Sequence, residues 1–263
     1  MDLGLKGKIA IVAAASDGLG KACAMALAEE GANLVICSRR QKEITETADE
    51  ILLKTGSKVI TVVTDVTKAD DIKRFVGRAK NEFGTVHVLV NNAGGPPTGS
   101  VLDLSDNEWE RGFNLTMMSM VRMTREVLPM MVRQNWGRII TITSFVAKQP
   151  LNELILSVSM RPGIHGLTKI LSNMYAKYNI TANTVCPGNI LTKRQEQLNQ
   201  DRAAQKNMTL EEYLMDAAKQ IPAERMGRPG EIGSVVAFLA SERASYINGV
   251  NLLVDGGLVR GIY

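Results

Sequence analysis

Short apolar runs with β-branched residues alternate along this chain with longer stretches in which apolar residues recur every three or four positions. Lys8–Ala13 is the first run. A small-residue turn, Ala14–Gly20, leads from it into a helical face of Ala22, Met25, Ala26 and Leu27 that Gly31 closes. A second apolar run, Asn33–Cys37, follows. Strand, glycine-bearing turn, helix and strand within roughly thirty residues is the size of a βαβ unit. The alternation then predicts helices over 41–55, Asp70–Phe83, Asp106–Gln134, 155–178, 194–219 and 229–241. It predicts strands over Val59–Thr64, Val86–Val90, Gly137–Thr143, Ile180–Val185 and Gly249–Val254. Asp70 and Asp71 suit a helix N-terminus, where the backbone dipole is positive. Strands that are apolar almost throughout are buried on both faces. The expected architecture is one doubly wound α/β domain over 1–263, a parallel sheet with helices on both faces.

In such Rossmann-like sheets ligands sit beyond the carboxyl ends of the strands, where the strand order reverses. The tails at 14–20, 38–40, 65–66, 91–94, 144 and 187–192 are therefore expected around one crevice. Glycines after the first strand let backbone amides and a helix N-terminus face a pyrophosphate. Gly18-Leu19-Gly20 stands at that junction, beside Ala14, Ser16 and Asp17. A Gly-x-Gly alone also fits a tight packing turn; its place at the first strand–helix junction favours a dinucleotide. Sites that choose NAD carry an acid after the second strand to hold the ribose hydroxyls. This chain has Arg39 and Arg40 there, and a guanidinium fork suits a 2′-phosphate, so NADP(H) is favoured over NAD(H). The polar segment 193–222 has the texture of a movable substrate lid, or of a surface insertion.

Composition narrows the function classes. The net charge is +4 without a basic stripe, which argues against nucleic acid as a partner. No apolar run has the length of a membrane span, and the N-terminus lacks a signal-peptide pattern; no membrane association and a cytoplasmic location are expected. Cys23, Cys37 and Cys186 are scattered among apolar neighbours and read as buried free thiols. With His87 and His165 as the only histidines, and far apart, no metal site is expected. Met117, Met118, Met120 and Met123, with Leu128, Met130 and Met131 beyond, put more apolar surface on one helix than one buried face requires, which points to a subunit contact.

In order along the chain stand Asp65-Val66, Asn91-Asn92-Ala93-Gly94, Asn114 in Phe113-Asn114-Leu115, Ser144, Pro187-Gly188-Asn189-Ile190-Leu191-Thr192, Gly227-Arg228-Pro229 and Asp255-Gly256-Gly257. Over nearly its whole length the chain thereby resembles the short-chain dehydrogenases/reductases, and most closely the bacterial 3-oxoacyl-(acyl-carrier-protein) reductases. The resemblance implies an oxidoreductase that passes a hydride between NADP(H) and a small carbonyl or alcohol substrate. It implies adenine contacts at Asp65 and Val66, and cofactor contacts at Asn92, Ala93 and Gly94. It places the nicotinamide half against Pro187, Gly188, Ile190 and Thr192, and catalytic roles on Asn114 and Ser144. It also implies a homodimer or homotetramer built on the helices over 106–134 and 157–178.

The chain departs from that family pattern in three places. The family's loop opens Thr-Gly where this chain has Ala13-Ala14, and a methyl at Ala14 would crowd the phosphates or resist a positive φ, predicting weaker cofactor binding. Asp17 stands where resembling NADP enzymes often carry a base. The third departure is chemical. The family places a tyrosine thirteen residues after its serine and a lysine four residues later on the same helical face, and the ammonium makes the phenol acidic enough to trade a proton. Counting from Ser144 reaches Ser157 and Arg161. Serine is a weaker and shorter acid, while arginine keeps the charge and gains a fork. Tyr175 and Tyr178 lie more than three turns beyond Arg161, out of reach. His165, one turn past Arg161, suits a packing contact better than a titrating role. Three mechanisms stay open. One is a reductase that holds the carbonyl with Ser144, Ser157 and Asn114, takes its proton from water or substrate, and uses Arg161 to stabilise the alkoxide. The others are a different enzyme class on the same scaffold, or a dinucleotide-binding sensor or partner subunit without turnover. The chain also resembles a reductase-like subgroup that departs from both the glycine loop and the catalytic tetrad.

Overall fold

Alternate residues of the apolar strands serve opposite faces of one sheet. The computed structural model describes residues 1–262. Strands β1 (Ile9–Val12), β2 (Asn33–Ser38), β3 (Val59–Val63), β4 (Val88–Asn91), β5 (Gly137–Ile142), β6 (Ile180–Pro187) and β7 (Asn251–Val254) pair in the order β3-β2-β1-β4-β5-β6-β7. Every pairing is parallel. Val12, Ile36, Val90 and Ile142 face helices α1 (Gly18–Glu29), α2 (Gln41–Thr55) and α9 (Pro229–Ala240), where they meet Leu27, Ile44 and Val236. Ile11, Val35, Leu89 and Ile139 face the other layer, α3 (Ala69–Phe83), α5 (Ser119–Arg133) and α6 (Ile155–Tyr175), where they meet Phe75, Met123 and Ile164. The strand order reverses between β1 and β4, which opens a crevice at their carboxyl ends.

Three expected elements differ in detail. The helix over Asp106–Gln134 is α4 (Asp106–Phe113), a π turn (Asn114–Met118) and α5, because the Ser119 N–H reaches back five residues to the Asn114 carbonyl. The stretch over 194–219 is two helices, α7 (Lys193–Gln205) and α8 (Leu210–Lys219). Thr209 restarts the second through a capping box with Glu212. The helix over 155–178 ends at Tyr175, with a 3₁₀ turn beyond. The four methionines of α5, Met120, Met123, Met130 and Met131, are buried in the chain's own core, so these four are not a surplus awaiting a partner. Among the described residues no helix is long and apolar enough to cross a membrane. No group of three His, Cys, Asp or Glu side chains gathers as a metal site among them either.

Candidate active site at the strand ends

The turn after β1 is threaded between its neighbours. Ala13 N–H donates to Val90 O (3.2 Å) and Ala15 N–H to Cys37 O (2.9 Å). Between them Ala14 takes φ +50°. The methyl does not forbid the left-handed conformation, contrary to the expectation from sequence; the backbone is held there by both flanking bonds. Asn92 Nδ2 donates to the carbonyls of Ala13 and Ala14, each at 3.2 Å, so its carboxamide braces the turn. Gly20 admits this close approach, since a Cβ there would collide with Ala14 O. Asp17 Oδ1 accepts from Gly18 N–H at 2.7 Å and caps α1, whose first residues include Leu19.

At the end of β2, Ser16 Oγ accepts from Arg40 Nη2 (3.1 Å) and Ser38 Oγ (2.9 Å). Arg40 also lies 3.3 Å from Glu43, and Arg39 is exposed beside it. Asp65 turns its carboxylate onto Thr67, accepting from the backbone N–H (3.0 Å) and the hydroxyl (2.8 Å), and Val66 is buried next to it.

Ser144 leaves the end of β5, and its Oγ accepts from Val146 N–H at 3.3 Å. Ser157 and Arg161 stand one turn apart on α6, both buried. Arg161 Nη1 donates to Ile142 O, two residues before Ser144, at 3.3 Å. Its Nε is buried and has no partner among the described residues. Burial, reinforced by the nearby Arg194 charge, pushes the Arg161 pKa down to about 10. Arg161 helps to line a cavity of about 20 Å³ with Asn91, Asn92, Ala93, Gly94 and Thr116. Asn91 Oδ1 and Thr116 Oγ1 are also unpartnered there. Asn114 turns elsewhere: Nδ2 donates to Glu110 O (3.0 Å), and Oδ1 accepts from Arg122 Nη2 (3.0 Å). His165 packs at a helix–sheet contact, 3.3 Å from Thr143 Oγ1 and 3.5 Å from Cys186 Sγ. Burial, with Lys148 and Arg161 adding to it, pushes its pKa down to about 4.

After β6, Gly188 N–H returns to Val254 O (3.0 Å), and Ile190 is buried where Leu191 N–H meets Gly227 O (2.9 Å). Thr192 Oγ1 caps α7, accepting from Gln195 N–H at 3.2 Å. Two contacts then carry α7 across the crevice. Lys193 Nζ lies 3.6 Å from Asp17 at the first turn. Arg194 reaches the turn after β4, donating from Nη1 to Gly95 O (2.8 Å) and from Nη2 to Pro96 O (3.0 Å). Neither Arg194 nor Gly95 is picked out by the sequence reading; the doubled glycine at Gly94-Gly95 and the Lys193-Arg194 pair after Thr192 are the available signals. A further cavity of about 800 Å³ lies between the outer face of α1 and the segment α7–α8, lined by Met25, Leu191, Leu210 and Leu214 among others.

Known proteins resemble this chain over nearly its whole length. The profile of the enoyl-(acyl carrier protein) reductase family matches residues 13–259. Dehydrogenase/reductase SDR family member 4 of Oryctolagus cuniculus is 34% identical, with 96% of this chain and 94% of that protein covered. A 3-oxoacyl-[acyl-carrier-protein] reductase of Staphylococcus epidermidis is 32% identical, with 95% and 98% covered. Among solved structures, L-sorbose reductase from Gluconobacter frateurii, complexed with NADPH and L-sorbose, superposes with a TM-score of 0.96 at 31% identity, each chain covered in full. The seven-stranded parallel sheet, the glycine turn braced by Asn92 and this span of similarity together show that the chain belongs to the short-chain dehydrogenase/reductase family, whose related members here are oxidoreductases.

Proposed function

We propose that the protein is an NADP(H)-dependent reductase or dehydrogenase acting on a small carbonyl or alcohol, in which Ser157 and Arg161 stand in for the tyrosine and lysine of its relatives. The observation that carries this reading is the placement of Arg161. A buried guanidinium with an unmatched Nε–H, bonded to the strand that ends in Ser144, provides positive charge where an alkoxide would develop.

The residues present fit the dinucleotide. Ser16, Ser38 and Arg40 form a polar cluster after β2 that suits a 2′-phosphate, with Arg39 free to join it. The N-terminus of α1 at Gly18-Leu19-Gly20 suits a pyrophosphate, with Ala14 and Asp17 beside it, and Asp65 and Val66 flank the adenine side. Ala93, Gly94, Pro187, Gly188, Ile190 and Thr192 frame the nicotinamide side. When bound, the cofactor supplies the hydride. The L-sorbose reductase complex, which contains NADPH, supports the same choice here.

Ser144 and Ser157 orient the carbonyl by hydrogen bonding, and Arg161 stabilises the negative oxygen. Asn114, through its bond from Arg122, keeps the π turn that faces α6. The proton comes from water or the substrate. Without an acidic phenol the step forgoes about 10²–10⁴-fold of general-acid assistance, so a slow enzyme is expected. The segment 193–222 acts as the lid, supported by the bonds of Lys193 and Arg194 across the crevice. Exposed Ile170 and Met174 on α6 support self-association through that helix.

Fluorescence titration with NADPH, followed by NADPH consumption with a panel of ketones, aldehydes and ketoses, tests the reading. Tight binding and turnover that Ser144→Ala and Arg161→Met each depress by more than tenfold are expected. Absence of NADPH binding, or binding without turnover of any compound, would overturn it.

A further inference from the structure

Among the described residues, Arg161 is a cation without a counter-ion. The residue is 9% exposed. Of the five N–H donors of a guanidinium, one has a partner, the Ile142 carbonyl at 3.3 Å, while Nε is wholly buried and has none. A second cation, Arg194, is near enough to help push its pKa down, and among the described residues no carboxylate forms an ion pair with it. The contrast with other cations of α7 is direct. Lys193 pairs with Asp17 at 3.6 Å and Arg202 with Glu153 at 3.0 Å. Arg194 instead rests on two neutral carbonyls, Gly95 O and Pro96 O, which hold its position, and among the described residues it has no ion-pair partner. The glycine is part of this arrangement, because a Cβ at Gly95 would collide with the Arg194 guanidinium.

Burying a guanidinium with unmet donors is costly, and a second cation facing the same crevice raises the cost. An entering oxyanion reverses both effects and gains charge-assisted hydrogen bonds. Ribose hydroxyls could occupy some of the Arg161 donors, but they would leave both charges uncompensated.

We propose that the carbonyl or alcohol substrate itself carries a carboxylate, held between Arg161 on α6 and Arg194 on the lid. The inference rests on the reductase reading of this crevice and adds the substrate class. An oxo acid or hydroxy acid is the expected partner, and Arg194 then joins lid closure to recognition of its charge. A cofactor phosphate is the other oxyanion available, and the experiment separates the two.

The test compares matched pairs at saturating NADPH: 4-oxopentanoate, acetoacetate and 2-oxobutanoate, each against its methyl ester. Turnover is followed by NADPH consumption, and binding to the protein–NADPH complex by calorimetry. A charge-assisted contact predicts kcat/KM about 10- to 100-fold higher for at least one acid than for its ester. Arg194→Met and Arg161→Met, each checked for native melting, should lower that acid-to-ester ratio by about tenfold or more. Esters matching or exceeding acids in every pair would overturn the proposal, as would a ratio that survives both substitutions. If the substitutions weaken NADPH binding and leave the ratio intact, the counter-ion is a cofactor phosphate and the proposal also falls. If no compound is turned over, the reductase reading fails by itself; calorimetry then decides, since binding of acids but not esters upholds the carboxylate site, and no preference removes it.

Discussion

Replacing Ala14 by glycine should make the protein more stable, the reverse of what a change to glycine usually does. Ala14 sits at φ +50°, a conformation that costs an L-residue with a Cβ about 1–2 kcal/mol. It cannot relax out of it, because Ala15 N–H is fixed on Cys37 O at 2.9 Å, Ala13 N–H on Val90 O at 3.2 Å, and the Ala14 carbonyl on Asn92 at 3.2 Å. Glycine removes the steric cost but gives the unfolded chain more freedom, an opposing effect of roughly 0.4–1 kcal/mol. The net is a stabilisation of about 0.8 kcal/mol, which at about 2–4 °C per kcal/mol for a domain near this size raises Tm by about 2–3 °C. Scanning calorimetry of wild type, Ala14→Gly and Ala14→Val measures it. The valine variant, β-branched in the same left-handed position, should melt below wild type. A glycine variant that melts lower than wild type, or a valine variant that melts no lower, would refute the claim that the turn holds Ala14 under strain.

Gly20→Ala pushes a methyl onto the Ala14 carbonyl and to within 2.7 Å of Asn92 Nδ2; a loss of about 1–3 kcal/mol in urea denaturation is expected, and an unchanged midpoint would contradict it. Arg138 is fully buried near the amino end of β5, opposite the crevice, donating to Gly137 O (2.8 Å), Asn179 O (2.9 Å) and Ser241 O (3.3 Å) and lying 3.4 Å from Glu242. Arg138→Met should cost about 3 kcal/mol and leave NADPH affinity per folded molecule unchanged; a stable variant with weakened NADPH binding would reverse both assignments. His87 Nδ1 accepts the Ile9 N–H at 3.0 Å, and burial, with Lys8 nearby, pushes its pKa from 6.5 down to about 4. Between those values the unfolded chain takes up a proton that the native state refuses, so stability falls as pH drops through this window. His165 acts in the same direction. Thermal melts should therefore show Tm falling on acidification from pH 6.5 towards 4, with a shallower slope in His87→Gln; a flat wild-type profile would be inconsistent.

Much of the fold was legible because its strands are short, apolar and separated by helical patterns long enough for crossovers, and parallel sheets leave little else to do with such runs. The π turn at Asn114–Met118 was not, because a one-residue shift of backbone pairing leaves the apolar spacing of a helix nearly unchanged. The break between α7 and α8 was available in Thr209-x-x-Glu212, a capping-box spelling inside an otherwise continuous polar pattern. At the site, motif positions were readable but side-chain directions were not. Asn92, Asn114 and Asp65 spend their polar atoms on Ala13 and Ala14, on Glu110 and Arg122, and on Thr67. Those choices are made by tertiary competition for hydrogen bonds. Arg194 escaped notice because its partners are backbone carbonyls of a loop ninety-nine residues away in sequence, which leave no residue-type signature.

Two buried arginines on one scaffold show how differently its ends are built. Both have pKa values lowered chiefly by desolvation. Arg138, near the amino end of β5, lies 4.3 Å from the centre of the Trp136 ring, reaches three carbonyls and faces Glu242. Its charge and its donors are answered within the chain, as a structural role requires. Arg161, at the carboxyl ends, has one long bond, a bare Nε and another cation for company. The first arrangement is stable as it stands. The second leaves a buried donor unmatched among the described residues, and it is bonded to the Ile142 carbonyl, two residues before Ser144, at the end of the sheet where doubly wound folds bind ligands. The unanswered charge is therefore a property of the site, placed by α6, and it favours whatever brings a negative oxygen to it.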